Sequence, residues 1–143
     1  WYNDFKDGIT IHIQQFEAYI KMLLLMPADV CGMNGVCSCQ HAVEAAGEVY
    51  PCDFYVLDDY KLGNLNDVSF VEINEKRKEI CFIEESAKMH EDCRHCKYAP
   101  ICRGGCRRHR TPKNYFCTSY YEFFDYTIHR LEEMAALFSY GDK

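Results

Sequence analysis

Eight of the ten cysteines in this 143-residue chain fall into two spaced groups, and that spacing limits the fold more than any other feature. The first group reads Cys31-x5-Cys37-x9-Gly47-x4-Cys52; the second reads Cys93-x2-Cys96-x5-Cys102-x3-Cys106 and is closed by Cys117. Cys39 and Cys81 stand outside both. A disulfide framework is the usual resort of small secreted chains that cannot bury enough apolar surface. Here 48 % of the residues are hydrophobic and 15 % aromatic, enough for a core. No basic stretch followed by an apolar one opens the chain as a secretory signal would. Local pairs of thiols joined by long gaps are the mark of ligation, because chelating neighbours share one loop while other loops close the shell.

The spacing leaves two kinds of site open. Two tetrahedral zinc sites and two iron–sulfur clusters each need four soft ligands per site, and eight thiols supply either. The loops around Gly104-Gly105 can fold about something bulky, whereas zinc knuckles more often show two matched C-x2-C pairs and this chain has one. His41, His90, His95 and His109 could replace thiols in a zinc site, but eight thiols already suffice.

Periodicity places these loops among regular elements. In residues 10–26, Ile13, Phe16, Ile20, Leu23 and Leu24 form one stripe of an amphipathic helix that Pro27 ends. Residues 40–44 and 48–50 read as two strands of a hairpin, with Gly47 offering the positive φ of a tight turn. Pro51 ends the second strand or puts it at an edge. Another turn sits at Leu62-Gly63-Asn64, and Ser69 with Glu72 forms a capping box opening a short helix. Helical spacing resumes through Ile80, Ile83 and Ala87, with Cys81 as a small packing residue and Cys39 as a core thiol. Ser119 with Glu122 reads as a second capping box. The helix it opens carries Phe124, Ile128, Leu131, Ala135 and Phe138 on one stripe, with Gly141 near its end.

The net charge of -6 averages unlike parts. Residues 93–110 hold Arg94, Lys97, Arg103, Arg107, Arg108 and Arg110 and no acid. A nucleic-acid surface would interleave such charges with stacking aromatics; here cysteines take that place, so no nucleic-acid partner is expected. The run reads as counter-charge for anionic clusters or as a docking surface for an anionic peptide. The longest apolar run, Met22 through Met26, is far short of a membrane span, so no membrane partner is expected either.

The pattern from Cys37 through Gly47, Cys52, Cys93, Cys96, Cys102 and Cys106 to Cys117 resembles the seven-cysteine signature of the SPASM domain. That domain is the C-terminal module of many radical S-adenosylmethionine enzymes, and Cys31 is an extra ligand upstream. The text Cys31-Gly-Met-Asn-Gly-Val-Cys37-Ser-Cys39, with Val49-Tyr50-Pro51-Cys52-Asp53-Phe54-Tyr55, resembles anaerobic sulfatase-maturating enzymes in particular. The likeness runs through nearly the whole chain. It implies two auxiliary [4Fe–4S] clusters with interleaved ligands: Cys31, Cys37, Cys52 and Cys106 on the first, and Cys93, Cys96, Cys102 and Cys117 on the second. It also implies Asp53 as the catalytic general base for a substrate thiol or hydroxyl, a role that an anionic cluster nearby favours. The alternative for Asp53 is a turn cap. Tyr50, Phe54 and Tyr55 are expected to pack around a cluster and keep water off it.

Members of this family bind S-adenosylmethionine on a third [4Fe–4S] cluster, held by a C-x3-C-x2-C motif in an N-terminal barrel. These residues contain no such motif. The nearest, Cys102-Arg-Gly-Gly-Cys106-Arg-Arg-His109, ends in His and uses thiols already assigned. The expectation is therefore a C-terminal fragment, opening on Trp1, that does not make the radical itself. By resemblance its partners are the N-terminal radical S-adenosylmethionine barrel of the same polypeptide, a reduced flavodoxin or ferredoxin type electron donor, and a sulfatase peptide. The active-site Cys or Ser of that peptide becomes formylglycine, in the cytoplasm. Other classes left standing are a zinc-binding structural or interaction module, an electron-transfer domain, and the same module in an enzyme modifying another peptide. The expected fold is α+β: a small cluster-nucleated SPASM domain with a β-hairpin, irregular Cys-rich loops and flanking helices. Residues 1–30 would carry the amphipathic helix joining the barrel, 31–117 the SPASM domain with both cluster sites, and 118–143 the C-terminal helix.

Overall fold

A computed structural model describes residues 1–140 and sets short elements between long loops. Helices α1 (Tyr2–Lys6) and α2 (Gln14–Leu23) come first, then strands β1 (Ala42–Val43), β2 (Glu48–Tyr50) and β3 (Gly63–Asn64). Helices α3 (Phe70–Glu79), α4 (Phe82–Ser86), α5 (Glu91–Arg94), α6 (Ala99–Cys102) and α7 (Cys117–Tyr140) follow. Helices around one small antiparallel sheet give the expected α+β class.

Helix α2 starts later than Thr10, because the Trp1 indole N–H donates to the Ile11 carbonyl (2.7 Å) and Ile13 is extended at φ −126°. It also ends before Pro27. Leu25 turns left-handed at φ 61°, and the N–H groups of Leu25 and Met26 reach back to Met22 O (3.1 Å) and Lys21 O (2.9 Å) in a Schellman closure. The inner face of α2 lies on α7: Tyr19 meets Phe124 edge-on at 5.0 Å and Phe16 stacks on Phe123 at 5.9 Å. Ile20, Met22, Phe124, Leu131 and Met134 are buried there with Ile101 of α6. Each such side chain contributes about 1.5–3 kcal/mol by leaving water. The C-terminal stripe holds through Ala135, but Phe138 is exposed, and Gly141 lies outside the described residues.

The hairpin pairs Ala42 with Tyr50 and Val43 with Val49, with Gly47 at φ +91° as the turn demands. The turn at Gly63 proves to be a third strand, pairing Val49 with Gly63 and Glu48 with Asn64. Strand β2 is therefore central, and Pro51 ends it. Ser69 and Glu72 make the full reciprocal capping box at the start of α3. The continuous helix expected through Cys81 is broken: Cys81 is exposed and left-handed at φ 48°. That reversal swings α4 round so that Phe82 is fully buried beside Cys52 and Tyr55. Ser119 and Glu122 lie inside α7 and do not cap it, because Asn114 sets the entry: its Oδ1 accepts from the Phe116 N–H (2.9 Å) and its carbonyl from the Cys117 N–H (3.0 Å).

Candidate metal centres

Three segments meet at the first centre. Cys31 opens a tight turn, Cys31–Met33, that Asn34 fastens by accepting from the Ala28 N–H (3.0 Å) and donating to the Ala28 carbonyl (2.9 Å). Gly35 then turns the chain, and the Cys37 N–H donates to Ser86 Oγ (2.8 Å). Strand β2 delivers Cys52 with an extended backbone, and the short turn Asp53–Tyr55 follows at once. Cys106 arrives from the loop after α6, where a Cβ placed on Gly32 would stand 3.4 Å from the Cys106 Cβ. Cys31, Cys37, Cys52, Cys106 and Asp53 all line one cavity of about 430 Å³.

The Cys52 thiol donates to Asp53 Oδ1 at 3.2 Å. Cys52 is the residue that enters the turn, and no side chain caps it, so Asp53 does not fill the turn-capping role. Burial pushes the Cys52 thiol up to about 11, and raises Cys31 too, with the fields of Cys106, Cys37 and Asp53 adding to it. Such thiols stay protonated at neutral pH until a strong Lewis acid displaces the proton. Of the three aromatics expected here, Tyr55 is buried on the wall and meets Phe82 edge-on at 5.0 Å. Phe54 lines the wall but is 55 % exposed, and Tyr50 is buried away from it.

The second centre is built from α5, α6 and α7. Cys93 lies in α5, Cys96 follows one turn later, Cys102 ends α6 and Cys117 begins α7. Arg103, Gly104 and Gly105 all take positive φ, which reverses the chain and sends Cys106 away to the first centre. Burial raises both the Cys93 and Cys102 thiols; Cys117 and Cys96 add to the rise at Cys93, and Cys117, Cys93 and Cys96 to that at Cys102. These four thiols are thus within one another's field. Among the described residues, no three His, Cys, Asp or Glu side chains converge closely enough to hold a single metal ion. The donors of the first centre instead ring a space, which suits a group bulkier than one ion. His109, one of the histidines the sequence offered, also lines that space, as do Tyr120 and, from the start of α2, Gln14 and Gln15, which nothing in their sequence context marks.

The basic run divides: Arg103, Arg107 and Arg110 are half-buried and donate to backbone carbonyls, whereas Arg94, Lys97 and Arg108 are exposed. Arg94 pairs with Glu91 (3.4 Å), Lys97 with Asp125 (2.6 Å), and Arg103 donates to the Pro100 carbonyl (3.0 Å). Arg107 donates to the Phe82 carbonyl (2.8 Å) and lies over the Phe82 ring. The exposed Arg108 lies over the Tyr55 ring on the wall of the first centre. Cys39 is not a core thiol: it is exposed, and its sulfur accepts from the buried Arg77 guanidinium, which also bonds Asn74 Oδ1 (3.0 Å).

Residues 31–97 match the SPASM family, an iron–sulfur cluster-binding domain. The chain carries a SPASM domain. Its relatives extend the likeness beyond those residues. The cysteine-type anaerobic sulfatase-maturating enzyme of Clostridium perfringens (strain 13 / Type A) is 46 % identical over 142 residues, 94 % of this chain and 38 % of the enzyme. That of Clostridium novyi (strain NT) is 38 % identical over 147 residues, 98 % of this chain and 39 % of the enzyme. The solved structure of native anSMEcpe with bound AdoMet superposes with a TM-score of 0.89 at 46 % identity, over 96 % of this chain and 40 % of that one. Native anSMEcpe with bound AdoMet and the Cp18Cys peptide gives the same figures. This SPASM-bearing chain spans less than two fifths of the length of these curated relatives. Among its described residues no helix is long and apolar enough to cross a membrane.

Proposed function

We propose that this SPASM domain holds two [4Fe–4S] clusters, one on Cys31, Cys37, Cys52 and Cys106 and the other on Cys93, Cys96, Cys102 and Cys117. The observation that carries the reading is the convergence of Asp53 and four thiols, from three separate segments, on one cavity wall. An all-thiol donor set is the chemistry that such clusters require. When bound, a four-thiolate cluster supplies one-electron transfer at a potential set by nearby charge, hydrogen bonds and burial.

The rest of the chemistry belongs to side chains of this chain. Asp53 Oδ1 already accepts a hydrogen bond from one thiol, and a substrate thiol or hydroxyl entering the cavity replaces it as the proton donor. The Tyr55, Tyr60 and Phe82 cluster behind Cys52 keeps water from that side of the site. Because the Clostridium relatives above are cysteine-type maturating enzymes, the substrate we assign is a sulfatase peptide whose cysteine is oxidised to formylglycine, with serine as the second choice. In this reading residues 1–30 lead out of a radical S-adenosylmethionine barrel carrying the third cluster, 31–117 form the cluster domain, and 118–143 close it. A flavodoxin or ferredoxin type donor supplies the electrons.

Cluster-specific cysteine changes test the assignment. In the full polypeptide, Cys37→Ala removes one auxiliary cluster signal in electron paramagnetic resonance and Cys96→Ala removes a different one. Loss of the same signal in both variants, or of none, overturns the partition.

A further inference from the structure

Arg110 gives its whole guanidinium to backbone carbonyls. Its Nε donates to Gly104 O (3.1 Å), and Nη1 to Ser86 O (2.8 Å) and Lys88 O (3.3 Å). Nη2 donates to Gly35 O (2.8 Å), Arg103 O (3.3 Å) and Gly105 O. None of these partners carries a charge that would neutralise it. Two of the three segments it ties together bear thiols of the centres. Gly35 lies between Cys31 and Cys37; Gly104 and Gly105 lie between Cys102 and Cys106, which serve different centres. Ser86 in turn takes the Cys37 N–H on its hydroxyl. Five donors in a fixed planar fork can hold three strands of backbone at once, which an ammonium on a flexible stem cannot.

We infer that Arg110 is a positioning residue shared by both thiol centres, fixing the loops of each ligand set and placing one permanent positive charge between them. This role presupposes the two clusters proposed above. The guanidinium sits on the Arg103 carbonyl, next to Cys102, and on the Gly105 carbonyl, next to Cys106, so its charge stands beside a ligand of each centre. Its field therefore acts on both clusters. Reduction adds a negative charge to a cluster, and a neighbouring cation stabilises that state. Removing the charge therefore moves both potentials in the negative direction. Keeping the charge but losing the fork loosens both loops and leaves the potentials nearly in place.

Potentiometric titration of the full polypeptide, followed by electron paramagnetic resonance, tests this. Cys37→Ala and Cys96→Ala first assign the two auxiliary signals; if they do not remove two distinct signals, the two-cluster reading fails on those variants alone, and this role with it. With the signals assigned, Arg110→Gln shifts both potentials negative, while Arg130→Gln, a charge removed from α7 beside Tyr2, shifts neither. Arg110→Lys keeps both potentials near wild type but speeds the loss of both clusters to an iron chelator by several-fold. A shift in one potential only, no shift in either, or an equal shift in Arg130→Gln overturns the proposal. Should Arg110→Gln not fold, the chelator rates of Arg110→Lys decide: acceleration at both centres supports the shared role, and acceleration at one or neither refutes it.

Discussion

Gly35 is pressed against Arg103: a Cβ on Gly35 would lie 2.5 Å from the Arg103 carbonyl oxygen and 2.7 Å from its Cβ. Gly35 belongs to the loop between Cys31 and Cys37, and Arg103 to the loop between Cys102 and Cys106. This contact is where the loops carrying the two ligand sets touch, and Arg110 Nη2 bonds the carbonyls of both residues beside it.

Gly35→Ala meets two obstacles at once. The left-handed backbone at φ +75° costs a Cβ-bearing residue about 1–2 kcal/mol, and the clash with Arg103 adds to that. A fall in melting temperature of about 5 °C or more is expected, with iron lost from the purified protein. Gly8→Ala is the comparison, since Gly8 has a similar φ of +77° and nothing within 4 Å. It should lower the melting temperature less and leave the iron content unchanged. Equal effects from the two substitutions would mean that the loop contact at Gly35 carries no weight.

Asp53→Asn keeps the shape of the side chain and removes its capacity to take a proton. In the full polypeptide, iron and labile sulfide should stay at wild-type levels while turnover of a cysteine peptide falls by about 10²–10⁴-fold. Full turnover in that variant would remove Asp53 from the chemistry.

Cys39 and Cys81 are the thiols without a place in either centre. Cys39→Ala should leave the iron content unchanged, since its sulfur is engaged with Arg77. Cys81→Gly should raise stability by about 1 kcal/mol, because Cys81 is exposed and holds φ 48°, where glycine bears no Cβ penalty. Unfolding curves and iron analysis check both. A loss of iron in either variant would put that cysteine among the ligands.

Features with local causes were legible in the sequence. The hairpin turn follows from the φ of Gly47, the α3 cap from the Ser69 and Glu72 pair, and the α2–α7 core from helical spacing. What was not legible depends on distant partners. Gly63–Asn64 is a strand only because β2 lies beside it, and no alternation announces a two-residue bridge. Cys81 sits among apolar neighbours and reads as helical, yet burying Phe82 against Cys52 and Tyr55 needs a reversal there. Arg110 looked like one more charge in a basic run, because hydrogen bonds to the carbonyls of Gly35 and Ser86 leave no mark in sequence. The division of thiols came from resemblance, whereas the three left-handed residues after Cys102 give a physical reason for Cys106 to cross to the other centre.

The most direct test of the two cluster sites is a metal and sulfide count on this chain, purified anaerobically from iron-replete cells. Two four-thiolate [4Fe–4S] sites predict a brown protein with about eight iron and eight acid-labile sulfide per chain. A colourless protein with two zinc ions and no labile sulfide would contradict them.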